Sequence, residues 1–343
     1  MKPYYITGQI ETPAGEVEQV STVWTNSDLF STIKVRWSIG RMNYTVKPGL
    51  YAVGVPDKDS DVFVSCNFKL SFDHLRQALH GLNAWILVLD TKGINVWCAA
   101  GKGTFGTKEL AFRMKEHQLE KILAHKRVIL PQLGATGVAA HIIKEETGFK
   151  VIYGPVRAED IPAFVANRYK ATPEMRKVNF NFWDRTKLIP VELFYGKQYL
   201  VLIPAIFFIM AGFNTHGFSV DSSWNNGGRA ILNLLVAYLS GCVLTPALLP
   251  YIPFKRFSLK GLVVGWLMAA LLLYFGFLGA SLFEIISWFL IIGGISSFVA
   301  MNFTGSSTFT SISGVLREMK LSLPVQIFGT ALGFIGWIVT RFI

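Results

Sequence analysis

The sequence predicts an α/β domain, a mostly parallel sheet covered by helices, followed by an all-α transmembrane domain of five helices. Three observations predict this. Short apolar runs alternate with helix-period segments over residues 61–169. After about Gln198 the chain turns into long apolar runs with almost no charge, the composition of membrane spans. Between them in character is one loop, with a lone cysteine and a glycine-rich turn, that leads from a wholly apolar strand into a helix. The expected division is an α/β domain over 1–175, a connecting segment over 176–197, and a membrane domain over 198–343.

Residues 1–26 are polar with Gly and Pro and read as an irregular lead-in. Residues 32–37 and 50–55 are short β-like runs, separated by turn signals at Gly40 and Pro48-Gly49. A stronger strand is expected over 61–67. A helix is expected over 71–82, with Ser71 as cap and Phe72, Leu75, Leu79 and Leu82 on one face. Residues 84–90 form a strand apolar on both faces, as helices on both sides of a sheet require. Helices over 108–124, 138–146 and 159–169 alternate with strands over 128–133 and 151–153. Pro162 falls in a first turn, where proline is tolerated. Five spans are expected at about 198–213, 229–250, 260–279, 283–302 and 322–340. Pro204 and Pro246 are expected to kink their spans, and Gly293-Gly294 to let helices approach closely.

The formal net charge is +11, yet no basic stripe with interleaved aromatics is visible, so no nucleic-acid partner is expected. The excess fits positive loops beside a membrane and an α/β domain near anionic lipid. Lys255, Arg256 and Lys260 fall in one loop and Arg317 and Lys320 in another, whereas loop 214–228 carries only Asp221. This pattern places the α/β domain in the cytoplasm and the C-terminus outside, in a multi-pass cytoplasmic (inner) membrane protein. Arg229 and Arg341 then sit at the outer interface. The N-terminus lacks an apolar signal region. Three scattered cysteines, Cys66, Cys98 and Cys242, make no disulfide framework and no zinc spacing. Ionisable residues are nearly absent from the spans apart from Glu284, which favours an anchor over a transporter.

The stretch that organises the chain is Asn95-Val96-Trp97-Cys98-Ala99-Ala100-Gly101-Lys102. Gly101, Gly103 and Gly106 fit a dinucleotide fingerprint as a pattern, but begin about ten residues beyond the strand rather than at its end. Cys98 as a nucleophile needs a base, and His74, His80, His117, His125 and His141 are all remote in sequence. As a metal ligand, one thiolate cannot hold a free ion, but it can supply an axial ligand to a macrocycle. The remaining reading is that Cys98 fills space. Ligand contacts are expected at strand ends: Asn67, Thr91, Gln132, Gly134, Ala135, Gly137, Tyr153 and Gly154, with Gly134 and Gly137 admitting close backbone approach.

Every position of that eight-residue stretch resembles the signature of the HgcA family of mercury-methylating corrinoid proteins: Asn, Val or Ile, Trp, Cys, Ala, Ala or Gly, Gly, Lys. That family is related to the corrinoid iron–sulfur protein of the acetyl-CoA pathway. The resemblance covers nearly the whole chain, membrane domain included. It implies a cobalamin-type corrinoid bound base-off, with Cys98 as the lower axial ligand of cobalt on a short cap helix. Asn95, Val96, Trp97, Ala99, Ala100, Gly101 and Lys102 would surround it. It further implies a corrinoid-dependent methyltransferase in which methyl-cobalt(III) gives its methyl group to Hg(II) as a carbanion equivalent. Its implied partners are an HgcB-like ferredoxin with iron–sulfur clusters as reductant and a methyltetrahydrofolate-linked methyl donor. Two alternatives stay open: a membrane-bound corrinoid methyl carrier with a non-mercury acceptor, and a transporter with a regulatory α/β domain.

Overall fold

The strand expected over residues 61–67 lies in the interior of the sheet. The structure, a computed structural model, describes residues 3–306 and 312–343. Met1 and Lys2 of the expected lead-in lie outside the described residues. Two units form: Met1–Val35 with Ile39–Val178, and Asn179–Ile343 with Arg36–Ser38.

The first unit holds β1 (Ile6–Thr12), β2 (Gly15–Val20), β3 (Gly49–Val53), β4 (Asp61–Cys66), β5 (Ala84–Leu89), β6 (Arg127–Leu130) and β7 (Lys150–Tyr153). Their order in the sheet is β1-β2-β3-β5-β4-β6-β7. β4 pairs in parallel with both β5 and β6, and β6 with β7. Four strand ends therefore meet on one edge. The chain runs from β4 out to β5, then crosses back to β6 on the other side of β4. That reversal is a topological switch point, where α/β sheets open a ligand crevice.

Burial explains the unbroken apolar runs. Val62, Val64, Trp85, Leu87 and Leu89 face one core, with Leu110, Met114 and Ile143 from the helices. Phe63, Ala84, Ile86 and Val88 face the other, with Phe72, Leu75, Ile161 and Phe164. The helices are α1 (Asn26–Arg36), α2 (Lys69–Ala78), α3 (Val96–Lys102), α4 (Thr107–Glu116), α5 (Leu119–Ile122), α6 (Ala140–Thr147) and α7 (Ile161–Ala166).

The structure corrects three expectations. The lead-in over 1–26 contains the antiparallel hairpin β1–β2, whose edge position leaves much of it exposed and so polar. The β-like run over 32–37 falls on α1 up to its end at Arg36, with Trp37 in the turn that follows. Thr25 and Asp28 cap that helix reciprocally: Thr25 N–H donates to Asp28 Oδ2 (2.9 Å) and Asp28 N–H to Thr25 Oγ1 (3.4 Å). Its buried residues, Asp28, Thr32 and Val35, are spaced for a helix. The single helix expected over 108–124 breaks at Gln118, whose φ is 47°, into α4 and α5.

The connecting segment over 176–197 is also structured. It contains α8 (Phe182–Thr186), with a capping box between Asn181 and Asp184, and α9 (Ile189–Tyr195). Arg185 donates to the carbonyls of Phe180, Pro246 and Ala247. After α10 (Tyr199–Met210) come α11 (Val220–Leu248), α12 (Phe257–Tyr274), α13 (Leu282–Asn302) and α14 (Ile312–Val339). Among the described residues four helices are long and apolar enough to cross a membrane, and five if the pair Phe182–Tyr195 and Tyr199–Met210, bent by 54°, counts as one. Gly261 and Gly265 let α12 lie against α13, where the Ser296 hydroxyl donates to the Gly261 carbonyl at 2.7 Å.

One buried ionic cluster ties α1 to α2. Asp28, Asp73 and Arg76 are fully buried and Lys69 nearly so. Arg76 donates to Asp28 (2.6 Å) and to Asp73 (2.8 Å), and Lys69 donates to Asp73 (2.6 Å). Burial works against ionised Asp28, but the Thr25 N–H, the Tyr4 hydroxyl and the Arg76 guanidinium overcome it and hold the carboxyl well below its usual range. Asp73→Asn is expected to cost ~3–5 kcal/mol, because two buried cations lose a carboxylate. In the full-length protein in detergent this appears as exchange of the α1 and α2 amides faster by about a hundredfold or more, read by mass spectrometry. The depressed folded pKa means that the stability supplied by Asp28 is complete above the unfolded pKa of about 3.9 and is lost as pH falls toward the folded value. Asp28→Asn is expected to flatten the acid dependence of exchange below about pH 4.

Candidate functional site

Past Leu89 the chain leaves the sheet through a loop pinned by one side chain. Asn67, just beyond β4, is buried, and its Oδ1 accepts from the backbone N–H of Thr91 (3.0 Å) and of Gly93 (2.9 Å). The Thr91 hydroxyl lies 2.8 Å from the same oxygen and 2.7 Å from the Ile94 carbonyl, so one proton serves two acceptors. Asn67 Nδ2 donates to Asp90 at 3.1 Å. Burial opposes ionisation of Asp90, but the side chain and backbone N–H of Lys92 outweigh it and hold the carboxyl below its ordinary value. The Asp90 N–H donates to Glu109 (2.8 Å), which also accepts from Arg113 (2.7 Å).

That loop delivers α3. Asn95 is its N-cap, accepting the Cys98 N–H at 3.0 Å through its side chain. Gly103, with φ 79°, ends it in the left-handed conformation that closes many helices. Seven residues are thus capped at both ends. Ala99 and Ala100 face inward and are buried, with Val96 packed beside them against the core. Trp97, Cys98, Gly101 and Lys102 are exposed. The free Cys98 thiol therefore lies on an open flank, and a Cβ at Gly101 would meet nothing within 4 Å.

The seat of α3 comes from the segment after β6. A 3-10 turn, Gln132–Gly134, packs against it. A side chain at Gly134 would run into the Phe105 ring. One at Gly137 would overlap the Phe105 carbonyl and stand 3.0 Å from Ala100 Cα. The close approach these glycines permit is thus of the chain's own Phe105 and Ala100. Gln132 accepts from Arg176 at 2.7 Å, Ala135 N–H donates to Gln132 O at 3.1 Å, and the Tyr153 hydroxyl donates to the Val138 carbonyl at 2.8 Å. Gly154 N–H donates to Leu130 O at 2.7 Å, bringing the β7 end against β6.

The expected site residues thus share one edge of the sheet, and burial sorts them. Asn67, Thr91, Ala99, Ala100 and Gly134 are inside, whereas Trp97, Cys98, Gly101 and Lys102 are accessible. The glycine motif Gly101–Gly106 joins two helices, with Gly103 closing α3 and Gly106 opening α4, which removes the strand-to-helix geometry that dinucleotide binding needs. His80 lies 2.9 Å from Thr22 Oγ1 and His125 3.0 Å from the Ser60 carbonyl, while His117 Nε2 is buried 3.6 Å from Glu116 with no hydrogen-bond partner among the described residues; none of them is on α3. Burial pushes the Cys66 thiol up, in keeping with a packed strand cysteine. Among the described residues no three His, Cys, Asp or Glu side chains gather to hold a metal ion. Sequence reasoning missed Phe105, fully buried under the cap, and Glu109, which fastens Asp90. A lone aromatic in a glycine turn was the available signal for Phe105.

Residues 29–165 match the family model described as CO dehydrogenase/acetyl-CoA synthase delta subunit. Over 143 residues, 40% of this chain, the sequence is 31% identical to the gamma subunit of the acetyl-CoA decarbonylase/synthase complex of Archaeoglobus fulgidus. It is also 31% identical, over 121 residues and 35% of the chain, to the corrinoid/iron-sulfur protein large subunit of Moorella thermoacetica. Apart from Arg36–Ser38, residues 29–165 lie within the first unit, so this family match falls on the α/β domain. The matched region covers 30% and 27% of the length of these two relatives. The match ends before α10, so the apolar helices lie outside it.

Gly137→Ala is expected to lift α3 from its seat and to speed amide exchange over residues 96–105 by at least about tenfold. Gly101→Ala, in open space on the same helix, is expected instead to slow it, since alanine stabilises a helix interior by ~0.5–1 kcal/mol over glycine. Exchange mass spectrometry of the two variants side by side checks both.

Proposed function

We propose that this chain is a membrane-bound, corrinoid-dependent methyltransferase that passes a methyl group to inorganic Hg(II), with Cys98 as the lower ligand of the cobalt. The observation that carries the reading is an exposed free cysteine on a doubly capped short helix, at the strand-end edge of a domain that matches corrinoid proteins. The donor chemistry fits. One accessible sulfur suits a metal that arrives with its own equatorial nitrogens, and a flank bare at Gly101 leaves room for a wide, flat group. A corrinoid held by Cys98 would supply a cobalt-bound methyl group, and the sulfur would donate electron density to that metal.

The chain's own residues do the positioning. Asn95 fixes the backbone N–H of Cys98, so the sulfur is set by a helix cap rather than by a free loop. Ala100 is small enough to sit flush on Gly137, and Ala99 is buried next to it, which keeps the helix low over the edge. Asn67 and Thr91 hold the entry loop, and Trp97, next to Cys98 in the chain, adds exposed apolar surface to the helix. Lys102, one turn on, places a positive charge on the same flank. Cofactor contacts from Gln132, Ala135, Tyr153 and Gly154 belong to the same proposal. The reductant would be an HgcB-like ferredoxin with iron–sulfur clusters, and the methyl group would come from a methyltetrahydrofolate-linked donor. The basic loops support a cytoplasmic membrane location with the α/β domain inside and the C-terminus outside.

A second reading, a corrinoid methyl carrier of one-carbon metabolism with another acceptor, is supported by the likeness to acetyl-CoA decarbonylase/synthase subunits. One experiment separates the two. Full-length protein is loaded with methylcobalamin, and cobalt content, visible spectrum and methylmercury formation are measured in wild type, Cys98→Ala and Cys98→His. Retained cobalt with an altered spectrum and methylation reduced by at least about a hundredfold is expected in both variants. Wild-type protein that binds cobalt through Cys98 but forms no methylmercury supports the second reading. An unchanged spectrum and rate in Cys98→Ala overturns the axial sulfur.

A further inference from the structure

The second unit contains a cavity of about 420 Å³ whose lining includes Arg229, Arg341, Glu284, Asn214, Asn226 and Ser281. Its walls come from the segment after α10, the first turns of α11 and α13, and the end of α14. Two guanidinium groups, Arg229 and Arg341, line it together with the Glu284 carboxylate and Ile343, and the Glu284 carboxylate is already engaged. Glu284 Oε1 accepts from Arg341 Nη2 at 2.6 Å, and Oε2 accepts from the Ala280 N–H at 3.1 Å. Both side chains of that pair are more than nine-tenths buried. Arg229 has no carboxylate. Its Nη2 donates to Asn226 Oδ1 at 2.6 Å, and among the described residues its other guanidinium nitrogens have no hydrogen-bond partner.

We infer that this cavity is a binding site for an oxyanion, a phosphate or carboxylate group on a molecule of headgroup size, received by the Arg229 fork. A planar guanidinium with free N–H groups is matched to such an anion, and a charge-assisted pair in a partly desolvated cavity is the strong form of hydrogen bond. The Arg341–Glu284 pair supplies a fixed wall, with Arg341 also over the Trp337 ring. The volume lies within the roughly 300–1,000 Å³ of ligand pockets and far above the ~30 Å³ that one water occupies. Asn214, Asn226 and Ser281 add neutral polar groups able to meet ester or hydroxyl oxygens. The site sits where apolar helices end, so the same chemistry has two sources, a phospholipid headgroup or a soluble organic anion.

The test uses the full-length protein in a neutral detergent, with thermal unfolding read by intrinsic fluorescence. One arm adds phosphatidylglycerol in mixed micelles against phosphatidylcholine. The other adds sodium phosphate or citrate against chloride at equal ionic strength. At saturation one arm is expected to raise the melting temperature by about 5 °C. A shift with phosphatidylglycerol alone identifies lipid as the source, and a shift with phosphate or citrate alone identifies a soluble anion. In Arg229→Gln the shift is expected to fall by more than about half, and in Arg229→Lys to be intermediate. No shift in wild type with either probe overturns the site, as does an undiminished shift in Arg229→Gln. If Arg229→Gln does not fold, Asn226→Leu is read in its place, and a full shift there overturns it equally.

Discussion

A single carboxamide oxygen ties the end of β4 to the loop that carries the cap helix. Asn67 Oδ1 takes two backbone N–H groups from residues 91–93 while its Nδ2 reaches Asp90, so the entry to α3 is defined from a neighbouring strand rather than from its own. Within that loop Lys92 and Gly93 both adopt left-handed backbone angles, which the Asn67 bonds to Thr91 and Gly93 help to hold. With the loop fixed, the two caps and the buried face of Ala99 and Ala100 settle where α3 lies. A seven-residue helix has too few intrahelical bonds to stand alone. Its position is a property of the edge, and the exposed sulfur inherits that definition.

Patterns driven by burial were legible in the sequence. β4 and β5 showed as unbroken apolar runs because both faces are covered, and the parallel block followed from their alternation with helices. Patterns driven by a partner elsewhere were not. β1, at the edge of the sheet, alternates only half-buried with exposed residues, and β2 fully buries just Val17 and Val20, so the hairpin carries no apolar run. α1 was misread because Ile33, Val35 and Trp37 suggest a strand. Its identity rests on the Thr25–Asp28 cap and on Arg76, which meets Asp28 from a residue far along the chain. The structured segment over 176–197 rests similarly on Arg185 reaching carbonyls after residue 245.

At the candidate site the motif around Cys98 was readable, but the division of labour within it was not. Sequence alone groups Asn95 through Lys102 as one ligand-facing stretch. The fold separates them into an inner pair that packs, a capping residue that orients, and an outer flank that is accessible. Gly134 and Gly137 were expected to admit a ligand, and instead their missing side chains admit Phe105 and Ala100. Sequence predicts that something must come close to such glycines. Only the fold says what.

The order of the chain has a consequence for how the protein is made. The seat beneath α3 is complete once residues 132–137 exist, and the sheet is closed by β7 at Tyr153. The first long apolar helix begins well after that, at Val220, with the shorter α10 ahead of it at Tyr199. Because synthesis runs from the N-terminus and domains fold as units, every element of the cysteine-bearing edge emerges from the ribosome before the lipid-seeking half does. Folding of the cysteine-bearing edge and emergence of the long apolar helices are therefore separable events in biogenesis, and the first need not wait for the second.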